Sequence, residues 1–200
     1  MLRWRRLEIS GGCLLLLAIL YYLDQDGMML WGLAFCGLHE LGHLAAVYIL
    51  GGQISYVRLS CVGAEIRLSA RKPLGHAREL LTALAGPAVN LLLAYAAARL
   101  RNPWGYCAAG INLALAWFNL LPAAQLDGGR IMLHLCSLLV GEPLAKRIVQ
   151  MCSMIVSLLL VLTGGILWIY GRKNVTLLFT AGWLLFSLYA EGKISVRAQK

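Results

Sequence analysis

Long uninterrupted apolar runs constrain this chain more than any other feature. The stretch from Ile148 to Tyr170 contains no charged side chain, and about 20 apolar residues suffice to cross the hydrocarbon core of a bilayer. Of the 200 residues, 60% are hydrophobic and 14% are charged, whereas water-soluble domains are closer to half apolar and a quarter charged. The sequence therefore indicates an integral membrane protein.

Six apolar segments are candidates for membrane spans. They lie at about 10–23, 27–50, 79–100, 104–122 continuing through 131–140, 147–170 and 174–190. No polar stretch is long enough to form a second, soluble domain. The sequence predicts an all-α polytopic membrane protein of about six transmembrane helices. Residues 1–200 form a single domain in this interpretation, with a central core over about 27–140 and accessory spans at about 10–23, 147–170 and 174–190.

The distribution of Lys and Arg predicts the orientation of these spans. With six spans and the N-terminus inside, only four of the 18 basic residues fall outside, at Arg99, Arg101, Arg172 and Lys173. Because basic residues concentrate on the cytoplasmic side, we expect a multi-pass protein of the cell membrane with both termini cytoplasmic. The net charge of +9 is explained by this topology, so no nucleic-acid partner is expected.

One segment departs from the helical pattern. Between Gly51 and Ser69, apolar and polar residues alternate in two short runs, 56–61 and 64–69, on either side of a turn at Val62–Gly63. Alternation with period two around such a turn predicts a small membrane-associated β-hairpin after the second span. Its edge strand could accept an extended peptide by strand addition. An amphipathic connector lying on the membrane is the alternative interpretation.

The second apolar segment contains the sequence HELGH, from His39 to His43. Residues four apart share one face of a helix, so both imidazoles can point at one metal ion. Glu40 is then close enough to reach a metal-bound water. Two histidines and a glutamate inside a membrane span are costly unless they are paired or liganded. A metal site is therefore favoured over the alternative, a polar cluster held by interhelical hydrogen bonds.

A catalytic zinc site normally uses three protein ligands, so a third must come from elsewhere. The other histidines are His76, in a basic loop, and His134, which is interpreted as a hydrogen-bonded core residue. Asp127 is the stronger candidate, because Asp24 and Asp26 lie in the predicted outer turn.

The surroundings of Asp127 favour an opening in the helix. Pro122 and the pair Gly128–Gly129 should break a helix there, and irregular backbone at membrane depth is tolerated where it lines a polar cavity. The alternative is that Asp127 caps a helix and pairs with Arg130.

Taken together, these motifs resemble the site-2 protease family of intramembrane zinc metalloproteases. The matching sequences are HELGH at His39–His43, AGPAVN at Ala85–Asn90, NLLP at Asn119–Pro122 and LDGG at Leu126–Gly129, in the order found in the family. The compact layout is similar to the sporulation stage IV FB branch, without the C-terminal CBS domain usual there. A proline is common just before the LDG motif, where this chain has Ala124–Gln125.

The resemblance implies a zinc ion (Zn²⁺) bound by His39, His43 and Asp127, with Glu40 as the catalytic general base and acid. Asn119 is a candidate for positioning substrate or stabilising the oxyanion, although a helix-packing hydrogen bond would explain it equally well. For Asn90 the hydrogen bond is the favoured interpretation.

The implied activity is hydrolysis of peptide bonds in membrane-tethered protein substrates, possible examples being a sporulation pro-sigma factor, an anti-sigma factor or signal-peptide remnants. Membrane-bound inhibitory or regulatory proteins are the implied partners, along with the lipid bilayer. A zinc transporter is one alternative, but it should carry acidic residues or histidines along other spans, and 147–170 and 174–190 have none. A catalytically silent regulatory scaffold is another, but it should have lost Glu40 or a ligand.

Overall fold

The computed structural model describes residues 2–4, 7–9, 22, 24, 27–60, 63–68, 74–170 and 180–187. Over these residues the chain is mostly helical. The helices are α1 (Met28–Ile49), α2 (His76–Ala98), α3 (Pro103–Asn119), α4 (Asp127–Val140) and α5 (Glu142–Ile169), and residues 180–187 are also helical. The chain divides into two compact units, Met1–Trp117 and Phe118–Lys200.

Three of the described helices are long and apolar enough to cross a membrane: α1, α2 and α5, with 22, 23 and 28 residues. At 1.5 Å per residue they measure about 33–42 Å, which exceeds the roughly 30 Å of a hydrocarbon core. They match the predicted segments 27–50, 79–100 and 147–170. The predicted span 10–23 lies outside the described residues except for residue 22, and only 180–187 of the predicted span 174–190 is described.

The surface of these helices is that of a membrane protein. On α5 the side chains of Ile155, Leu158 and Leu159 are each more than half exposed, whereas Ser153 and Ser157 are fully buried. In water such an exposed apolar face would be unfavourable, but acyl chains can solvate it. Small residues on the inner face instead allow close helix packing.

The predicted segment from 104 to 140 forms two helices, as the proline at 122 indicated, but the two glycines have a different role from the one predicted. Helix α3 ends at Asn119 and α4 begins at Asp127, so Gly128 and Gly129 lie in the first turn of α4 and do not break it. A Cβ at Gly128 would contact the carbonyl oxygen of Leu120, and one at Gly129 that of Ala123. The glycines therefore let the loop at 120–126 lie directly against α4.

Four strands form one sheet in the order β1 (Leu2–Trp4), β2 (Leu7–Ile9), β3 (Ile54–Ser60) and β4 (Gly63–Leu68). Strands β3 and β4 pair antiparallel, β2 joins β3 in parallel, and β1 pairs antiparallel with β2. Sequence reasoning identified β3 and β4 but missed the two N-terminal strands, so describing the chain as all-α with one hairpin was incomplete. Strands of three residues are too short for a period-two pattern to be recognised.

Within the first unit, α1 and α2 pack closely. A Cβ at Gly42 would lie 2.8 Å from Cγ2 of Val89 and 3.1 Å from the carbonyl oxygen of Ala85, so the missing side chain brings the two backbones together. The start of α1 is fixed by Asp24, whose carboxylate accepts hydrogen bonds from the backbone N–H groups of Met29 and Leu30 at 3.1 and 2.9 Å. These two groups have no partner within the helix itself.

Within the second unit, the loop at 120–126 packs against helical residues. Ala123, Leu126 and Leu184 form a buried apolar cluster. The backbone N–H of Ala124 donates to Oγ of Ser153 at 2.8 Å, and Ser153 in turn donates to the carbonyl oxygen of Val149. The loop that precedes Asp127 is therefore held to α5 by both apolar packing and hydrogen bonds.

Candidate metal centre

Two buried histidines face each other in the middle of α1. His39 and His43 are 5% and 4% exposed, and their Nε2 atoms lie 3.1 Å apart. A tetrahedral zinc ion with Zn–N bonds of about 2.0–2.1 Å holds two ligand nitrogens roughly 3.3 Å apart. The spacing of these two nitrogens therefore fits a pair of zinc ligands, as the i, i+4 pattern predicted.

The other ring nitrogen of His43 fixes its tautomer. Nδ1 lies 2.7 Å from the backbone carbonyl oxygen of Thr82 in α2. A carbonyl oxygen can only accept, so Nδ1 carries the proton and Nε2 presents a lone pair. An outer hydrogen bond of this kind orients metal-binding histidines in many proteins. The contact is an interhelical hydrogen bond, as the polar-cluster alternative requires, but it also prepares His43 to bind a metal ion.

Gly86 provides the room that the two imidazoles occupy. A Cβ at this position would contact Nε2 of His43 and would lie 2.6 Å from Nε2 of His39. Pro87 follows directly inside α2, and a proline loosens the helical turn that precedes it. The helical hydrogen bond that Pro87 cannot make is the one to the carbonyl oxygen of Ala83, the residue after Thr82. Gly86 therefore shapes the site by leaving room for both imidazoles.

Glu40 is also on α1, next to His39, and its side chain is partly buried. The Glu40 carboxylate is carried by the same candidate membrane span as the histidine pair. Glu40 also takes part in a polar or electrostatic interaction.

Asp127 belongs to the second unit and occupies the first turn of α4. It is 7% exposed. Leu126 is the N-cap residue, so Asp127 does not cap the helix, although a carboxylate in the first turn is favoured by the helix dipole. The guanidinium of Arg130 lies 3.8 Å from Oδ1 of Asp127. The predicted pairing with Arg130 is thus present, but it is long and the Arg130 side chain is 42% exposed.

The two asparagines differ in their surroundings. Asn119 is the last residue of α3 and is partly buried. Asn90 in α2 is fully buried, and among the described residues neither its Nδ2 nor its Oδ1 has a hydrogen-bond partner. The helix-packing hydrogen bond favoured for Asn90 is therefore absent from the part of the chain that the structure describes.

The described residues include one set of three buried side chains that could supply ligands to a metal ion: His39, His43 and Asp127. Two imidazole nitrogens and one carboxylate oxygen are ligands that suit zinc. The other two histidines do not belong to this set. The three residues proposed as ligands from the sequence are therefore buried, and they offer the donor atoms that zinc binds in proteins.

One contributor to the site escaped sequence reasoning. Thr82 acts through its backbone carbonyl, which every residue possesses, so its identity carried no signal. The identity of Gly86 did carry a signal, because a glycine in an otherwise helical pattern often marks a position where another group comes close to the helix backbone.

Comparisons with known proteins agree with the motifs. The profile of peptidase family M50 matches residues 95–163, a range that contains Asp127. A Mycobacterium tuberculosis protein named as a zinc metalloprotease, Rip3, is 30% identical over 92% of this chain and 50% of its own length. A zinc metalloprotease of Methanocaldococcus jannaschii is 25% identical over 78% of this chain and 47% of its own length. The chain thus spans about half the length of these relatives.

The fold has a solved counterpart. The structure of a site-2 protease from Methanocaldococcus jannaschii matches with a TM-score of 0.70 and 22% identity, covering 96% of this chain and 93% of that one. Residues 95–163 thus match peptidase family M50, the chain is similar to two zinc metalloproteases, and it shares the fold of a site-2 protease.

Proposed function

We propose that this chain is an intramembrane zinc endopeptidase that hydrolyses peptide bonds of membrane-associated proteins. The observation that carries the proposal is the buried histidine pair of α1, whose Nε2 atoms lie 3.1 Å apart in a helix long and apolar enough to span a membrane. Imidazoles so placed are expensive to bury without a function. The metal set in this proposal is His39, His43 and Asp127.

The residues of the chain have distinct roles in the proposed reaction. His43 is held in its metal-binding tautomer by Thr82, and Gly86 leaves space beside both imidazoles. Zinc bound there would polarise the scissile carbonyl and activate a water molecule. Glu40 takes the proton from the attacking water and returns it to the leaving amine. Asn119 positions the substrate or donates a hydrogen bond to the developing oxyanion.

Substitution of Glu40 tests the proposal directly. Glu40→Gln keeps the size of the side chain but removes its basicity, so cleavage of a co-expressed membrane-tethered substrate should fall at least about 100-fold. The zinc-to-protein ratio, measured by mass spectrometry of the purified protein, should stay at the wild-type value because Glu40 is not a ligand.

Glu142→Gln is the matched control. Glu142 pairs with Lys146 at 2.7 Å on an exposed face of α5, where such pairs contribute little, so both cleavage and zinc content should match wild type. Wild-type cleavage by the Glu40→Gln protein would contradict the general-base assignment. A wild-type protein free of zinc after metal-supplemented purification would contradict the whole proposal.

Substrates are proposed to be proteins tethered to the same membrane. The resemblance to the sporulation branch makes a membrane-associated pro-sigma factor the first substrate to test, with membrane proteins as its inhibitors or regulators. Comparing membrane proteomes of cells that contain wild-type or Glu40→Gln protein would identify fragments that depend on the activity.

The proposal also includes the arrangement of the chain in the cell membrane. We place six spans in one catalytic domain over 1–200, with both termini in the cytoplasm and the β3–β4 segment against the membrane surface. Cysteine accessibility at each terminus in intact cells would test this topology: termini labelled from outside would contradict it.

A further inference from the structure

An apolar cavity opens in the first unit, at the end of the α1–α2 pair where α1 begins and α2 ends. Its volume is about 460 Å³, within the range of small-molecule sites. Trp31 and Phe35 of α1, Leu93 of α2 and Ile111 of α3 are among the residues that line it. Because α1 and α2 are candidate membrane spans, this end of the helix pair lies near one face of the bilayer.

Two basic residues adjoin the lining of the cavity in sequence. Leu100 and Asn102 line the cavity, and the residues on either side of Leu100 are Arg99 and Arg101, both exposed. The guanidinium of Arg99 lies 5.4 Å from the centre of the Tyr95 ring. The Arg101 side chain has no hydrogen-bond or ion-pair partner among the residues that the structure describes.

The backbone at Arg101 is held in an unusual conformation. Arg101 has a φ of 49° and is the one residue other than glycine with positive φ in the described part of the chain. Such a conformation costs free energy for a residue with a Cβ and often marks a functional position. The next residue, Asn102, fixes the turn, because its Oδ1 accepts a hydrogen bond from the N–H of Gly105 at 2.7 Å.

We propose that this cavity binds an anionic phospholipid, with one acyl chain among the apolar side chains and the phosphate group at Arg101. The lining matches a hydrocarbon chain, and a cation at the membrane surface matches an anionic headgroup. Bilayer lipids are also the most abundant apolar ligands available at this depth. The inference concerns a site separate from the histidine pair and does not depend on the proposed activity.

Lipid retention tests the proposal. The full chain is reconstituted in nanodiscs containing equal amounts of dioleoyl phosphatidylglycerol and dioleoyl phosphatidylcholine, and native mass spectrometry measures which lipid stays bound. Wild-type protein should retain phosphatidylglycerol over phosphatidylcholine about fivefold, the preference that one basic side chain gives an anionic lipid. Equal retention of the two lipids would overturn the proposal.

Two variants locate the site. Arg101→Gln should bring the ratio close to one, whereas Arg78→Gln should keep it, because Arg78 lies at the opposite end of α2. Ala96→Trp fills the cavity and should remove retention of both lipids, whereas Ala88→Trp, on an exposed part of the same helix, should not. Wild-type retention by either Arg101→Gln or Ala96→Trp would refute the assignment.

A crosslinking measurement gives an answer even if the Ala96→Trp protein does not fold. A benzophenone amino acid at Trp31 should crosslink to phospholipid in the membrane. Crosslinks to residues 10–23 or to a co-expressed substrate in place of lipid would mean that a protein segment occupies the cavity, and the proposal would be wrong.

Discussion

Nδ1 of His43 donates a hydrogen bond to the backbone carbonyl oxygen of Thr82 at 2.7 Å. The bond joins the helix that carries the histidine pair to the helix that carries Gly86. It fixes both the tautomer and the ring orientation of His43, so the metal-binding geometry of α1 depends on the exact position of α2.

The first prediction concerns Gly86. Gly86→Ala places a methyl group against Nε2 of both imidazoles, so the rings must shift and zinc binding should weaken by roughly 10–100-fold, the range seen when the support of metal-binding histidines is disturbed. Competition with a zinc chelator measures the change. Gly110→Ala is the matched control, because a Cβ at this helical position meets nothing within 4 Å. Equal zinc affinity of the two variants would contradict the close approach of Gly86 to the histidines.

The second prediction concerns Asp127. Removing a zinc ligand should reduce affinity more than removing an outer partner, so Asp127→Ala should lower zinc affinity by more than about 100-fold. Arg130→Gln should change it little, because the ion pair is 3.8 Å long and the arginine is 42% exposed. Metal analysis after dialysis against chelator separates the two outcomes. An unchanged zinc ratio in Asp127→Ala would remove this residue from the ligand set.

The third prediction concerns the close approach of the 120–126 loop to α4. A Cβ at Gly129 would contact the carbonyl oxygen of Ala123 and lie 2.8 Å from Cα of Ala124. Backbone atoms cannot move aside as a flexible side chain can, so Gly129→Ala should destabilise the protein by about 1–3 kcal/mol. Gly165→Ala, at an open helical position, should be neutral or stabilising by up to about 1 kcal/mol. Unfolding in detergent measures both changes.

The fourth prediction concerns Ser153. Its Oγ accepts from the N–H of Ala124, so Ser153→Ala leaves a loop donor without its partner, at a cost of roughly 1–3 kcal/mol. Ser157 is equally buried, but within the described part of the chain its hydroxyl only donates, to the carbonyl oxygen of Ser153. Ser157→Ala should therefore cost less than about 1 kcal/mol. Equal loss of stability in the two variants would show that the bond to Ala124 contributes nothing.

Much of the site could be predicted because its chemistry resides in side-chain identity. The i, i+4 spacing of His39 and His43 places both imidazoles on one helix face in any α-helix, and Asp127 was chosen because the other two aspartates lie in the predicted outer turn. The break between α3 and α4 followed from Pro122. The N-terminal strands could not be predicted, because three-residue strands carry too little pattern, and neither could the parallel pairing of β2 with β3.

The sequence by itself determined that the chain enters a membrane and which side chains could bind zinc, because apolar runs and ligand chemistry are properties of the residues themselves. Only the tertiary structure decided that Thr82 orients His43, that Gly86 leaves room for the imidazoles and that Gly128 and Gly129 seat the loop against α4. These relationships depend on backbone carbonyls and on missing side chains. Such groups acquire a role only when folding brings a second segment within contact distance.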